Sequence, residues 1–281
     1  MPELPEVETI SQRLSPVLTG KIIERIDVLR EKSFWGDEKL VIGKKVLGVS
    51  RKAKLLVIAL SDLSFLVVHL KMTGQLIYQD KSQRLGGGHP TADWIETLPS
   101  THTRIVFKLN NESTLYFNDM RVFGWIKHLS ESDLEKEFSR YGVDIIDPIV
   151  SGTYLHKRLA KTSRPIKVAI MDSGLIAGVG NIYANDALNL ARINPSRPAN
   201  SLSEDESAAL LDAMITVINL GIKLGGATID NYRNIDGFSG NYQTKVLTYG
   251  RENLGCFNCS GIIQKTKIGG RGTFYCPECQ V

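Results

Sequence analysis

The chain opens Met1-Pro2-Glu3-Leu4-Pro5-Glu6. Removal of the initiator Met, which a small second residue usually permits, leaves Pro2 with a free secondary amine. An α-amino group has a pKa near ~8 against ~10.4 for a Lys side chain, so roughly a tenth of it is free base at neutral pH. Such an amine can attack an electrophilic carbon and form an iminium intermediate, as lysines do with carbonyls. Glu3 stands beside it as a candidate proton donor and acceptor. The same residues also suit an ordinary helix start, where carboxylates favour the first turn.

A second chemistry sits at the other end. Cys256, Cys259, Cys276 and Cys279 are the only cysteines, arranged as two C-x-x-C pairs with sixteen residues between them. That spacing suits a four-thiolate zinc site, and four sulfur ligands close the metal's shell, so one Zn2+ would be structural. The intervening residues can form a hairpin with Gly269-Gly270-Arg271-Gly272 at its tip. Two disulfides or four buried thiols are the alternatives. Zinc is favoured over them in a chain with no secretory signal and no further cysteine.

Between these ends, several side chains are candidate anion or base contacts. The glycines of Ala177-Gly178-Val179-Gly180 before Asn181 would leave helix N–H groups open to an anion, with Asn181 as cap or phosphate donor. A plain helix–helix turn fits them equally. Arg271, flanked by glycines, could grip a phosphate bidentately or be an ordinary surface arginine. Lys54 ends the basic run Arg51-Lys52-Ala53-Lys54, which as a solvated strand edge would only deter pairing. His69 could be a satisfied core histidine. Met72, Arg121 and Phe123 offer two stacking surfaces and one hydrogen-bonding fork, or else two core hydrophobes and a surface charge.

The start MPELPEVET, the central GVGNIYANDAL and the terminal GGRGTFYCPECQ resemble the bacterial-type formamidopyrimidine-DNA glycosylases, a family that also contains endonuclease VIII. The segments fall at beginning, middle and end, so the resemblance spans essentially the whole chain. It implies a bifunctional glycosylase and abasic-site lyase. Such an enzyme removes oxidised purines, 8-oxoguanine and formamidopyrimidines, from double-stranded DNA and also acts at abasic sites. By the same resemblance Pro2 is the nucleophile and Glu3 the proton donor. Lys54 is catalytic, contacting the damaged nucleotide's phosphate and assisting the reaction, and Glu6 orients the N-terminus or the sugar. Asn181 matches the phosphate-binding asparagine of a helix-two-turns-helix element. Arg271 matches an arginine on the phosphates around the lesion, aimed by the zinc hairpin. His69 matches a histidine near the DNA backbone, while Arg51 and Lys52 are general phosphate contacts.

Met72, Arg121 and Phe123 match the set that fills the hole left by an extruded base. Endonuclease VIII relatives generally carry a different set. Val122 departs from the basic residue often found between that Arg and Phe. The stretch from Gly225 to Tyr242 resembles a loop that closes over the everted base, with DNA running in a groove between two domains. A monomeric, cytoplasmic protein is implied, with no membrane association. Two rival readings are an endonuclease VIII-like enzyme for oxidised pyrimidines and a noncatalytic damage-sensing DNA-binding protein.

The elements that must position these residues are legible in outline. Leu4, Val7, Ile10, Leu14 and Val17 follow helical spacing and predict a helix from Glu3 to Leu18, with Gly20 at its stop and Pro16 unfavourable in its last turn. Strands are predicted over 21–29, 44–51, 54–60, 64–70, 104–109 and 114–117, and a mobile loop over 81–100. Helices follow near 132–140, 155–161 and 166–171, then one through Leu190 and one from the capping box at Ser203 to Leu220. The expected fold is α+β. A β-sandwich with flanking helices covers 1–140, a helical helix-two-turns-helix domain 151–240, and a zinc β-hairpin 245–281. The 281 residues suffice for two cores, and no apolar run reaches the ~18 residues of a membrane span. A net charge of +4 permits nucleic-acid binding without demanding it.

Overall fold

The structure, a computed structural model, describes residues 1–88, 97–227 and 240–281. The chain divides into two compact units, Met1–Ser139 with Ile222–Gln243, and Arg140–Gly221 with Thr244–Val281.

The first unit opens with helix α1 (Leu4–Leu18), whose Val7, Ile10, Leu14 and Leu18 enter the core. Pro16 is accommodated inside it. The helix stops where the Thr19 N–H closes onto Ser15 O at 3.0 Å and Gly20 leaves at φ +89°. Two five-stranded sheets follow. One contains β1 (Ile23–Val28), β6 (Gly74–Gln79), β7 (Arg84–Gly88), β8 (Thr103–Leu109) and β9 (Ser113–Asp119), in the order β1-β8-β9-β6-β7. The other contains β2 (Phe34–Trp35), β3 (Val46–Lys52), β4 (Leu55–Leu60), β5 (Phe65–His69) and β10 (Trp125–Leu129), in the order β2-β10-β5-β4-β3. Alternate residues of both sheets, such as Leu56, Ile58, Leu76 and Tyr78, meet α1 in one core. The expected sandwich is therefore present. Helix α2 (Glu131–Phe138) flanks it, capped by Ser130, whose hydroxyl accepts from the Asp133 N–H.

Two expectations fail here. The stretch 81–100, expected to be a mobile loop, contains strand β7, paired along β6. Gly86 and Gly88 explain the disguise. A Cβ there would lie 2.0 Å from Leu76 O and 2.4 Å from Gly74 O, so only glycine lets this edge close on its neighbour. Residues 89–96 lie outside the described residues. The described residues 222–227 and 240–243 also cluster with the sandwich rather than with the helical domain expected over 151–240. The Glu6 carboxylate accepts from the Ala227 N–H at 2.7 Å, and Asn241 and Tyr242 donate to Leu224 O and Gly226 O at 2.9 and 3.0 Å.

The second unit is helical. Its described helices are α3 (Gly152–Leu159), α4 (Ile166–Ile170), α5 (Asn181–Leu190) and α6 (Glu204–Lys223). The expected capping box opens α6. The Ser203 N–H donates to Glu206 Oε2 at 2.8 Å, and the Glu206 N–H donates back to Ser203 Oγ at 3.1 Å. Gly152 meets α6 where a Cβ would stand 2.6 Å from Ala208 Cβ. The unit ends in a hairpin of β11 (Gln264–Ile268) and β12 (Arg271–Tyr275). Its turn, Gly269 and Gly270 at φ +56° and +75°, requires residues free to adopt the left-handed region.

Candidate catalytic and nucleic-acid-binding sites

Pro2, Glu3 and Glu6 are brought together at the start of α1, all buried. Glu3 is the N-cap, and its N–H donates to Glu6 Oε2 at 2.8 Å while its carboxylate accepts from the Glu6 N–H. Glu6 Oε1 reaches on to the Ala227 N–H. Gly226 is required beside it, because a Cβ would stand 2.8 Å from Glu6 Cγ. One carboxylate thus ties the backbone at Glu3 to the segment that leads into residues 228–239. That part of the loop expected to close over an everted base lies outside the described residues.

Lys54 lies in the turn joining β3 to β4, after Ala53 at φ +55°. Arg51, expected to be a phosphate contact, is engaged inward instead. Its side chain is 6% exposed, with Nε on Glu8 Oε2 at 2.8 Å and Nη1 on Ala53 O at 2.9 Å. It therefore ties the Lys54 turn to α1. His69, at the end of β5, is buried edge-on against the Trp125 ring. Its Nδ1 accepts from the Lys71 N–H at 3.1 Å, so the neutral ring carries its proton on Nε2. Burial first, then the charges of Lys71, Lys54 and Lys127, push its pKa down from 6.5 to about 3. It is a neutral donor, not a cation, at physiological pH.

Met72, Arg121 and Phe123 are exposed on two neighbouring turns, with the Arg121 guanidinium 4.7 Å from the centre of the Phe123 ring. Met72 stands in the turn from β5 to β6. That turn is closed by the Gly74 N–H on Leu70 O at 2.8 Å, an approach no Cβ at Gly74 would allow. Arg121 and Phe123 stand in the turn from β9 to β10, around Val122 at φ +56°. Beneath both turns lies Asp119, fully buried.

In the second unit Asn181 and Arg271 are drawn to one place. Gly180, not Asn181, is the N-cap of α5, which corrects the capping role considered for Asn181. Its side-chain amide instead donates to Gly272 O at 3.2 Å, next to Arg271. Gly272 O also accepts from Lys167 Nζ at 2.7 Å, and Thr273 Oγ1 accepts from the same ammonium at 2.8 Å. Further buried side chains hold the zinc module. Asn185 Oδ1 takes the Phe274 N–H at 2.8 Å, and Asp186 Oδ1 takes the Thr248 N–H at 2.9 Å.

The four cysteine sulfurs lie within 4.8 Å of one another, with Cys256–Cys279 at 3.8 Å and Cys259–Cys276 at 3.5 Å. A tetrahedron of Zn–S bonds of about 2.3 Å places its sulfurs about 3.8 Å apart. The cluster therefore fits one zinc ion with no coordination position left for substrate, and the zinc is structural. Burial first, and then the neighbouring sulfurs, push the Cys279 thiol up, a crowding that a divalent cation relieves.

Sequence reasoning missed Asp119, Thr73, Lys167 and the Glu8–Arg51 pair. Lys167 carried the plainest signal, a cation between Ile166 and Val168 in an apolar run.

The formamidopyrimidine-DNA glycosylase N-terminal domain matches residues 1–126, and that enzyme's H2TH domain matches residues 142–233. A zinc finger found in FPG and IleRS matches residues 256–281. The formamidopyrimidine-DNA glycosylase of Pelotomaculum thermopropionicum is 38% identical over 287 aligned positions, covering 100% of this chain and 99% of the relative. That of an Exiguobacterium species is 36% identical over 288, with the same coverage. The MutM (Fpg) protein of Thermus thermophilus superposes with a TM-score of 0.86 at 35% identity, over 99% of this chain and 98% of that one. Lactococcus lactis Fpg, in complex with abasic-site DNA, gives 0.87 at 29% identity over 99% of both chains. Sandwich, helical unit and thiolate finger together define a zinc-finger DNA glycosylase. The chain belongs to the formamidopyrimidine-DNA glycosylase family.

Proposed function

We propose that this protein is a bifunctional base-excision enzyme. It removes 8-oxoguanine and formamidopyrimidines from duplex DNA and cleaves the strand at the resulting abasic site, acting as a monomer. Removal of Met1 exposes the Pro2 amine. The lesion nucleotide is turned out of the stack, at a cost of a few kcal/mol that insertion of Met72, Arg121 and Phe123 offsets. The Pro2 nitrogen bonds to C1′, and the base leaves with the electron pair of the glycosidic bond. Glu3 protonates the ring oxygen as the sugar opens, and the nitrogen sheds its proton to give the iminium. The iminium acidifies C2′, so the Glu3 carboxylate left by that transfer takes the C2′ proton and the 3′ phosphate is eliminated; a second proton loss from the sugar expels the 5′ phosphate. Lys54 and His69 contact the backbone in the first unit, Asn181 and Arg271 in the second. Zinc takes no part in bond making and serves to hold the Arg271 hairpin.

The observation that carries this reading is the reciprocal Glu3–Glu6 cap beside a buried Pro2. It holds a candidate acid next to a candidate amine, and Glu6 leaves Glu3 to do the proton transfer. Borohydride reduction with 8-oxoguanine DNA should trap one protein–DNA adduct, mapping to Pro2. Glu3→Gln should abolish base excision while leaving lesion binding largely intact. An adduct on Lys54 with none on Pro2 would overturn the assignment.

A further inference from the structure

The three exposed side chains of the first unit share one buried anchor. Asp119 closes β9, and its carboxylate accepts two donors on each oxygen. Oδ1 accepts from the Thr73 hydroxyl and from the Arg121 N–H at 3.2 Å. Oδ2 accepts from the Phe123 N–H at 2.8 Å and the Gly124 N–H at 2.6 Å. Thr73 Oγ1 in turn accepts from the Arg121 N–H at 3.0 Å. The Asp119 carbonyl accepts from Arg104 Nε at 2.7 Å, which fixes the carboxylate's own backbone. Gly124 must be glycine, because a Cβ would stand 3.1 Å from Asp119 Oδ2 and 2.9 Å from Phe117 Cζ.

A buried carboxylate is tolerable only when its lone pairs are filled, and these are filled by the loop it holds. It has no access to solvent, and both its oxygens are taken up by the turns it holds. Its donors are the backbone amides of the residues that bear the exposed side chains. Thr73, adjacent to Met72, joins the second turn to the same point. Two turns forty-six residues apart are thereby locked into one platform.

We infer that Asp119, acting through Thr73, is the positioning residue that presets Met72, Arg121 and Phe123 for insertion into the duplex, and so sets the discrimination of the base opposite the lesion. The inference rests on the filling role proposed above. Its physical basis is that a side chain reading a base edge must be held before contact, since ordering a loop at the moment of binding costs affinity and blurs discrimination. The carboxylate is needed and an amide would not serve. The Phe123 and Gly124 N–H groups both point at one oxygen, and an Asn would offer two donors and only one acceptor to the site.

The test uses the full-length zinc-loaded protein as wild type, Asp119→Asn, Thr73→Val and Thr73→Ser. Single-turnover excision of 8-oxoguanine is measured opposite each of the four bases, and amide hydrogen exchange is followed at Arg121, Phe123 and Gly124. Thr73→Val keeps the shape of the side chain and removes only the hydroxyl. It should slow excision opposite cytosine about 10-fold, flatten the ranking of opposite bases and speed exchange of the Arg121 amide. Asp119→Asn should do the same more strongly and release the Phe123 and Gly124 amides. Thr73→Ser, which restores the hydroxyl, should recover most of the loss.

A general loss of stability lowers all four rates together and leaves their ranking unchanged, so the ranking separates positioning from folding. An unchanged ranking and unchanged exchange in Thr73→Val would overturn the inference, as would a Thr73→Ser protein as impaired as Thr73→Val. Should Asp119→Asn not fold, the Thr73 pair decides the matter alone. A wild-type protein that excises no 8-oxoguanine opposite any base overturns instead the functional reading on which the inference stands.

Discussion

Each unit holds a set of exposed side chains steady, and the two do so by opposite means. In the first, Met72, Arg121 and Phe123 ride on turns whose amides converge on a buried anion, the Asp119 carboxylate. In the second, Arg271 rides on a hairpin whose base is gathered by four thiolates around a cation. The metal module is a short segment with few apolar residues, so coordination supplies much of its order, beside the hydrogen bonds from Lys167, Asn185 and Asp186. The carboxylate clamp sits on a large hydrophobic core and needs only to satisfy its own lone pairs. A metal can be stripped from outside, whereas a clamp made of protein groups fails only through its own chemistry. Chelators should therefore act on the zinc-bearing unit and leave the carboxylate clamp intact.

The largest effect should come from the metal. A structural zinc in modules of this kind contributes apparent binding energy on the order of 10 kcal/mol, and that is folding energy for the hairpin. Chelation should release one zinc per chain and weaken DNA binding by at least ~100-fold, with the sandwich still folded. Arg271→Ala should keep the zinc, lose roughly 10-fold in affinity and lower the slope of log K against log salt by about 1. Metal analysis, anisotropy at several salt concentrations and circular dichroism check this together. Normal DNA binding by metal-free protein would remove the metal side of the contrast.

These two devices were unequally legible in the sequence. The four cysteines announce themselves by spacing, and Pro2 with Glu3 by position, because the relevant partners are neighbours in the chain. Asp119 is silent because its meaning lies in Thr73, forty-six residues away. The same distinction governs the fold. Helix α1 was readable because its buried face repeats at helical spacing. Strand β6 was not, because its apolar run is only Leu76-Ile77-Tyr78, bounded by Gly74-Gln75 and Gln79. Strand β7 was hidden by the glycines that let it pack. Arg51 shows the converse error. A basic run suggested phosphate, but its long side chain folds inward onto Glu8 and Ala53.

Acid should expose the weakness of the first unit. His69 is buried neutral, with a folded pKa near 3 against 6.5 for the free side chain. The unfolded chain therefore binds a proton between those values that the folded chain refuses. The contribution is fully present above pH ~6.5 and is lost progressively as pH falls toward ~3, by at most about 1.4 kcal/mol per pH unit. His69→Asn places an oxygen near the position of Nδ1 and cannot titrate. It should flatten the fall in urea midpoint between pH 6.5 and 5, without changing zinc content. An equally steep fall in the variant would show that other groups set the acid limit.

The smallest expected effect tests whether the clamp enforces its loop. The two regions place residues at nearly the same backbone angle, Val122 at φ +56° and Gly269 at φ +56°. Glycine occupies that conformation without strain, but a β-branched residue there is costly, on the order of 1–2 kcal/mol. In the hairpin the angle is supplied by residue choice. In the first unit it is imposed on Val122 by the hydrogen bonds of Arg121, Phe123 and Gly124 to Asp119 on either side of it. Val122→Asn tolerates the angle and adds less freedom to the unfolded chain than glycine would, so it should stabilise the protein by about 1 kcal/mol. That gain depends on the loop being held. In an Asp119→Asn background the loop can relax away from the left-handed region, and the same Val122→Asn change should then gain almost nothing. Four urea melts close this double-mutant cycle. Equal gains in both backgrounds would mean that the turn adopts its angle without Asp119, and the buried anion would lose its standing as the counterpart of the zinc.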